Sequence, residues 1–210
     1  MIEAPLLVVA AIGAAFMPGT RDSYELAIQT FRAETKRRAI LSVLPNLTVL
    51  PPFGLGAMRN FAILAALTEQ KAQHVLLVDN DVLFDDPHIL AKLMLHRLDY
   101  VTPWFDQAPI GETHRIAHPM LDKGQGLCEL KWSTPYCVLW SASALNHLGP
   151  HIYTETAIYN EDEFNCLAFR FGGVKIMQDT DARVTLLRPP SLLADSLGKL
   201  RILKPGEHPV

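Results

Sequence analysis

Three cysteines, no long apolar run and no surplus of either charge narrow what this chain can be. Cys128, Cys137 and Cys166 are odd in number and contain no Cys-x-x-Cys pair, which speaks against a disulfide framework and for reduced thiols in a cytoplasm. Nowhere do apolar residues run to the roughly 20 that a membrane helix needs, so a soluble protein is expected. The stretch Leu6 to Met17 imitates a signal peptide, yet Glu3 and no Lys or Arg precede it, so it reads as a buried strand and its loop. With 19 Lys and Arg against 22 Asp and Glu the net charge is −3, and no global field draws the molecule to nucleic acid. Lys36, Arg37 and Arg38 form one small basic cluster, which a solvated helix end explains equally well. Internal repeats and low-complexity segments are absent as well.

What is present is material for a core. At 210 residues, 49% of them hydrophobic, the chain can build one sizeable core but has little room for two, so residues 1–210 read as a single domain. Leu6 to Ile12 is a continuous apolar run, as in a strand buried on both faces. Asp22 or Ser23 is placed to cap a helix over Tyr24 to Arg37, and Leu47 to Leu50 reads as a second strand closed by Pro51 and Pro52. Met58, Phe61, Ala62 and Ala65 have the spacing of a helix face, and Val75 to Val78 follows as a strand. Asp86 and Pro87 open a helix through Leu90, Leu93 and Met94 to about Arg97, and Tyr100 to Thr102 begins another strand. From Pro103 to Pro135 the pattern dissolves into Pro, Gly, His and aromatic residues, too long a stretch for a passive connection. Thr134 to Ser141 reads as a returning strand and Ala142 to Leu148 as a short helix stopped by Gly149 and Pro150. A helix over Glu161 to Phe171 has Asn160 as its cap, Phe164, Leu167, Ala168 and Phe171 as its buried stripe, and Gly172 with Gly173 at its end. Val174 to Met177 is a further strand. This alternation predicts an α/β fold with a mostly parallel central sheet flanked by helices, and a ligand site beyond the strands' carboxyl ends.

The strand at Val75 to Val78 runs straight into Asp79, Asn80 and Asp81. Side chains alternate along an extended chain, so Asp79 and Asp81 can converge while Asn80 turns the other way. Two carboxylates suit a hard divalent cation, and magnesium or manganese held by so few protein ligands completes its shell with water and phosphate oxygens. A phosphate-bearing substrate is therefore implied. An acidic turn with no ligand is the plainer alternative. A zinc centre built from His114, His118, Cys128 and Cys137 is disfavoured, because Pro119 opposes helix at His118 and the cysteines lack a zinc-knuckle spacing. His147 and His151 are split by Gly149 and Pro150 and make no helical ligand pair.

Two segments taken together carry a family resemblance. Gly54-Leu55-Gly56-Ala57-Met58-Arg59-Asn60, followed by an Ala-rich helix and Asp79-Asn80-Asp81, resembles the Gly-Leu-Ser-x-Ala-Arg-Asn segment and the Asp-x-Asp motif of the GT-A glycosyltransferases, family 2-like, which use nucleotide-sugar donors. Asn160-Glu161-Asp162-Glu163-Phe164, followed by a helix and Gly172, is similar to that family's Glu-Asp-x-x-Phe element. The resemblance implies a GT-A, Rossmann-like domain. Residues 1–102 would form its nucleotide-sugar-binding half, 103–190 its acceptor half and 191–210 a C-terminal helix or tail. It further implies Asp81 as the firmest metal ligand, with Asp79 on the ribose or the metal and Asn80 beside the donor. Arg59 would face the nucleotide or diphosphate, and the loop from Ala11, Ile12 and Gly13 would pack against the nucleobase. Asp162, with Glu161 beside it, would be the acceptor-side base. The family often supplies a further His ligand after the next strand, whereas Asp179 to Leu187 contains none, which leaves water, Asp179, Asp181 or His208 as substitutes.

The chemistry matches glycosyl transfer. A leaving diphosphate is neutralised by a manganese or magnesium ion, UDP being the expected nucleotide, while a carboxylate deprotonates the acceptor hydroxyl, and direct attack inverts the anomeric carbon. Competing readings attach to each residue. The first-turn carboxylates Glu161, Asp162 and Glu163 also compensate a helix dipole. Arg59 sits where it opposes that dipole, so an anion is expected opposite it, either a ligand or a salt-bridge partner. Trp104 and Trp132 flank the loop region and are candidates for stacking on an acceptor, although aromatics are as often core. The acceptor itself, whether a glycan, a small molecule or a hydroxylated base in DNA, is not legible. Two other functions compete: a haloacid dehalogenase-type phosphatase with Asp79 as nucleophile, and a non-catalytic nucleotide- or glycan-binding module.

Overall fold

A computed structural model describes residues 6–13, 16–44, 55–107, 124–149, 152–154, 161–187, 192–194 and 200–202. The strand expected at Leu47 to Leu50, the Asn160 cap, and His114, His118, His151 and His208 lie outside the described residues.

Strand β1, Leu7–Ile12, is buried at every position. Its apolar run has no polar face because helices cover both sides. Helix α1, Thr20–Thr35, buries Tyr24, Ala27, Ile28 and Phe31 on one of those sides. It starts after Gly19 and not at the expected Asp22 or Ser23, for Gly19 supplies the left-handed turn into the helix at φ 82°. Ser23 is used differently. Its hydroxyl donates to the Thr20 carbonyl and accepts from the Phe84 N–H, tying α1 to the next hairpin. Strand β2, Ala39–Val43, lies parallel to β1.

Helix α2, Leu55–Thr68, covers the opposite side of the sheet. Its buried face is Met58, Ala62, Ile63 and Ala66, while Phe61, expected inside, is 51% exposed. Nearly every position of this helix is apolar, so periodicity alone does not choose a face. Close approach to the sheet favours its alanines over Phe61. Strand β3, His74–Asp79, then pairs parallel with β1 on the side away from β2.

The rest of the chain extends and closes the sheet through β4 (Val82–Phe84), α3 (Ile89–Leu95), β5 (Tyr100–Gln107), β6 (Leu127–Leu130), β7 (Cys137–Ser141), α4 (Ala142–Leu148), α5 (Glu161–Phe171) and β8 (Ile176–Leu186). Asp86 does not cap α3 directly. Its carboxylate accepts the His88 N–H just ahead of the helix. The strand order is β2-β1-β3-β7-β5-β8-β4, with β6 beside β8. Strands β1, β2, β3, β5 and β8 point one way, as expected, while β7 runs antiparallel between β3 and β5, and β4 and β6 run antiparallel to β8. The sheet is therefore mixed, parallel in its β2-β1-β3 part. Residues 191–210, expected as a helix or tail, instead contain two short antiparallel strands, β9 (Leu192–Ala194) and β10 (Leu200–Ile202). Among the described residues no helix is long and apolar enough to cross a membrane.

Helix α5 corrects a second expectation. The stripe Phe164, Leu167, Ala168 and Phe171 is exposed, Phe171 at 84%, and the residues that enter the core are Asn165, Cys166 and Phe169. Phe169 sits edge-on to Trp140 and Tyr153, with ring centroids 5.0 and 5.6 Å apart. Two polar side chains, Asn165 and Cys166, are admitted because each finds backbone partners inside. Phe169→Ala should lower the unfolding free energy by about 3–5 kcal/mol and Phe171→Ser by no more than about 0.5 kcal/mol, both read from urea midpoints. Comparable losses would restore the orientation expected from the sequence.

Candidate functional site

The site follows from chain order. Helix α1 carries the chain from β1 to β2 on one side, and α2 carries it back past β1 to β3 on the other. Because α1 packs with Leu7, Val9 and Ala11 while α2 packs with Val8, Ala10 and Ile12, the two helices lie on opposite faces. The carboxyl ends of β1 and β3 thus flank a topological switch point, where open α/β sheets take ligands. Gly13 stands at one of those ends and Asp79-Asn80-Asp81 at the other, with Ile12 in register with Asp79.

The acidic turn is anchored through its backbone from four directions. The Asn80 N–H donates to the Ile12 carbonyl (2.8 Å), and the Asn80 carbonyl accepts from the Met17 N–H and the Thr20 hydroxyl. The Asp79 N–H donates to the Tyr136 carbonyl, and the Asp81 carbonyl accepts from the Leu187 N–H at the end of β8 (2.6 Å). Tyr24, wholly buried, places its hydroxyl 2.7 and 2.6 Å from the Asp79 and Val82 carbonyls, spanning the turn. Burial first, and the nearby Asp79 and Asp81 charges with it, hold that phenol far above its ordinary range, so it stays a neutral donor. Burial and Asp79 likewise push the Cys137 thiol well up, which makes it an inert core residue.

Each acidic-turn side chain has a distinct environment. Asn80 lies over Gly13: a Cβ built there would sit 2.3 Å from the Asn80 side chain, and Gly13 has φ 134°, so only glycine fits. Asp79 is 8% exposed and faces Arg59, whose Nη2 lies 3.2 and 3.4 Å from its two carboxylate oxygens. Arg59, 2% exposed, also has its guanidinium 5.7 Å from the Tyr153 ring centre. The anion expected opposite Arg59 is therefore found, and it is a side chain of this protein. A haloacid dehalogenase-type reading needs Asp79 as the nucleophile, and here its carboxylate is paired with Arg59.

Ala11 and Ile12 are buried in the core, leaving Gly13 as the part of that stretch at the crevice. Trp132 is half-buried against the core, and Trp104 is half-buried in β5 directly after a register shift at Pro103. At that shift β8 bulges through 180–182. Asp179 secures the bulge by accepting the Asp181 and Ala182 N–H groups and pairing with His96 at 2.8 Å. Burial raises the Asp179 carboxyl, but the His96 and backbone hydrogen bonds outweigh it and hold the group below the usual carboxylate range. Asp179 is thus occupied with local structure. Glu161 and Asp162 form the first turn of α5, and their side chains lie outside the described residues.

Asp79 and Asp81 supply hard carboxylate oxygens, and among the described residues no group of three or more His, Cys, Asp or Glu gathers. That donor set fits magnesium or manganese carrying water and phosphate oxygens and does not fit a closed zinc site. Tyr24, His96, Asn60 and Asn165 are structural participants that sequence reasoning passed over. Only Asn60 carried a signal, as the neighbour of Arg59 in the quoted segment.

No family model and no curated protein matches this chain. Solved structures do. A197 from STIV aligns over 98% of this chain and 96% of its own, at 11% identity and a TM-score of 0.53. S. aureus TarS 1–349 aligns over 88% of this chain and 58% of its own, at 13% identity and a TM-score of 0.50. A glycosyltransferase involved in the glycosylation of the major capsid of PBCV-1 aligns over 68% and 63%, at 16% identity and a TM-score of 0.38. At such identities the likeness to A197 and TarS establishes the fold alone, a mixed α/β domain with a central sheet flanked by helices.

Arg59→Met removes the cation from beside a buried carboxylate and should destabilise the protein by about 3–5 kcal/mol at neutral pH. Adding Asp79→Leu should recover most of that loss in chemical denaturation, because both charges are then gone. A double variant as unstable as the single one would show that the pair is not what joins α2 to β3.

Proposed function

We propose that this protein is a metal-dependent, inverting glycosyltransferase that moves a sugar from a nucleoside diphosphate sugar, with UDP as the nucleotide, to a hydroxyl acceptor. One observation carries the reading: the acidic turn and Gly13, where only a glycine fits beside Asn80, occupy the two strand ends at the sheet's switch point. The motif resemblance and the fold of the structural neighbours agree with it.

In this reading Asp81 is the principal protein ligand of a manganese or magnesium ion, with Asp79 second because Arg59 already neutralises part of its charge. The bound ion supplies Lewis-acid stabilisation of the departing diphosphate. Gly13 makes room for the Asn80 side chain at the end of β1, and the two together form the wall against which the nucleotide packs. Asp162, supported by Glu161, accepts the proton of the acceptor hydroxyl as it attacks the anomeric carbon. Trp104 and Trp132 stack on the acceptor, whose class is a glycan, a small molecule or a hydroxylated base in DNA. The absence of a His from Asp179 to Leu187 is met by water in the cation's shell.

UDP with manganese at about 100 times its Kd should stabilise the folded protein by about 2.7 kcal/mol, seen as a raised Tm. Asp81→Asn should abolish the rise, and Asp162→Ala should keep it while losing donor hydrolysis. A wild type that binds UDP but never turns a UDP-sugar over would make the protein a binding module instead.

A further inference from the structure

Residues 152–154 are held by two asparagines that come from the two helices on either side of the candidate chemistry. Asn60 follows Arg59 on α2. Its Nδ2 donates to the Tyr153 carbonyl (2.7 Å), and its Oδ1 accepts the Tyr153 N–H (2.9 Å). A side-chain amide paired with both the N–H and the C=O of one residue holds the two peptide units that flank it in position and in rotation. Asn165 on α5 grips the next residue. Its Oδ1 accepts from the Thr154 N–H and hydroxyl, both at 3.0 Å, and its Nδ2 donates to the Thr154 carbonyl (3.3 Å). Asn165 is 2% exposed inside an otherwise apolar packing face, where a polar side chain persists only if its hydrogen bonds are made. The Tyr153 side chain is fixed as well: its hydroxyl accepts from Trp140 Nε1 (3.0 Å), and its ring lies between Phe169 and the Arg59 guanidinium.

A continuous polar chain therefore runs from Asp79 through Arg59, its neighbour Asn60, Tyr153, Thr154 and Asn165 into α5, four residues beyond Glu161 and three beyond Asp162. Core packing alone does not require it, since apolar side chains at 60 and 165 would bury as well without specifying register. We propose that Asn60 and Asn165 are positioning residues: they set the first turn of α5, with its carboxylates, at a fixed distance from the acidic turn. The inference rests on the transferase reading. The donor site supplies the leaving group and α5 supplies the base, and the strap at 152–154 holds one relative to the other. Loosening the strap spares nucleotide binding and slows the chemical step, because small misplacements of a positioned base cost rate heavily.

The test uses hydrolysis of UDP-glucose, UDP-galactose and UDP-N-acetylglucosamine with manganese, alongside calorimetric binding of UDP. Asn165→Ala and Asn60→Ala should lower kcat roughly 10- to 100-fold while the Kd for UDP stays within about twofold. Thr154→Val, at an exposed position, removes one of these bonds without emptying the core and carries the test if the alanine variants do not fold. Unchanged kcat in folded variants, or kcat and Kd worsening together, would overturn the inference and leave the transferase reading standing. No turnover by the wild type with any of the three donors would overturn both.

Discussion

The buried pair between Arg59 and Asp79 is the constraint on which the rest of the structure turns. A carboxylate at the end of a central strand, nearly closed off from water, stays charged only if a cation is brought to it. Here the cation comes from the second turn of α2, so one interaction fixes that helix against the sheet, sets the direction in which β3 ends, and lays a guanidinium against Tyr153. The pair also divides the labour of the acidic turn. Asp79 is committed largely to structure and Asn80 packs on Gly13, and in the proposed reading Asp81 is the principal ligand.

Around that pair the fold spends many hydrogen bonds on very few residues. Strand β1, helix α1, the approach to β7 and the end of β8 all bond to the backbone from Asp79 to Asp81, and Tyr24 spans the turn from beneath. Such anchoring suits a site that must meet a ligand with little reorganisation. The β8 bulge serves the same end. By turning the strand at 180–182 it lets β8 pair with β4 and reach Asp81, and the His96–Asp179 pair locks that turn. A fold shared with distant structures does not by itself say what a protein does. The proposed function therefore rests on the residues placed at its switch point.

Much of this was legible in the sequence because it depended on local signals. The apolar run ending in Asp79-Asn80-Asp81 announced both a buried strand and a polar strand end, and the order of strands and helices located the crevice. The helix faces were not legible. In α2 the apolar residues surround the whole helix, and in α5 the largest ones point outward while Asn165 and Cys166 enter the core. Periodicity ranks side chains by hydrophobicity, whereas packing selects them by shape and by whether a polar atom finds a partner. The Gly19 start of α1 was hidden because better capping residues follow it. The His96–Asp179 pair was hidden because its members lie 83 residues apart and meet only through the sheet.

In the proposed function the acidic turn holds a divalent cation together with a nucleotide diphosphate, and electron paramagnetic resonance of manganese reads this directly. Titrating manganese into the protein with UDP present should remove the free aqueous signal until one ion per chain is bound, with far weaker uptake when UDP is left out, because phosphate oxygens complete the shell. Uptake indifferent to UDP, or the same uptake after Asp81→Asn, would contradict the account.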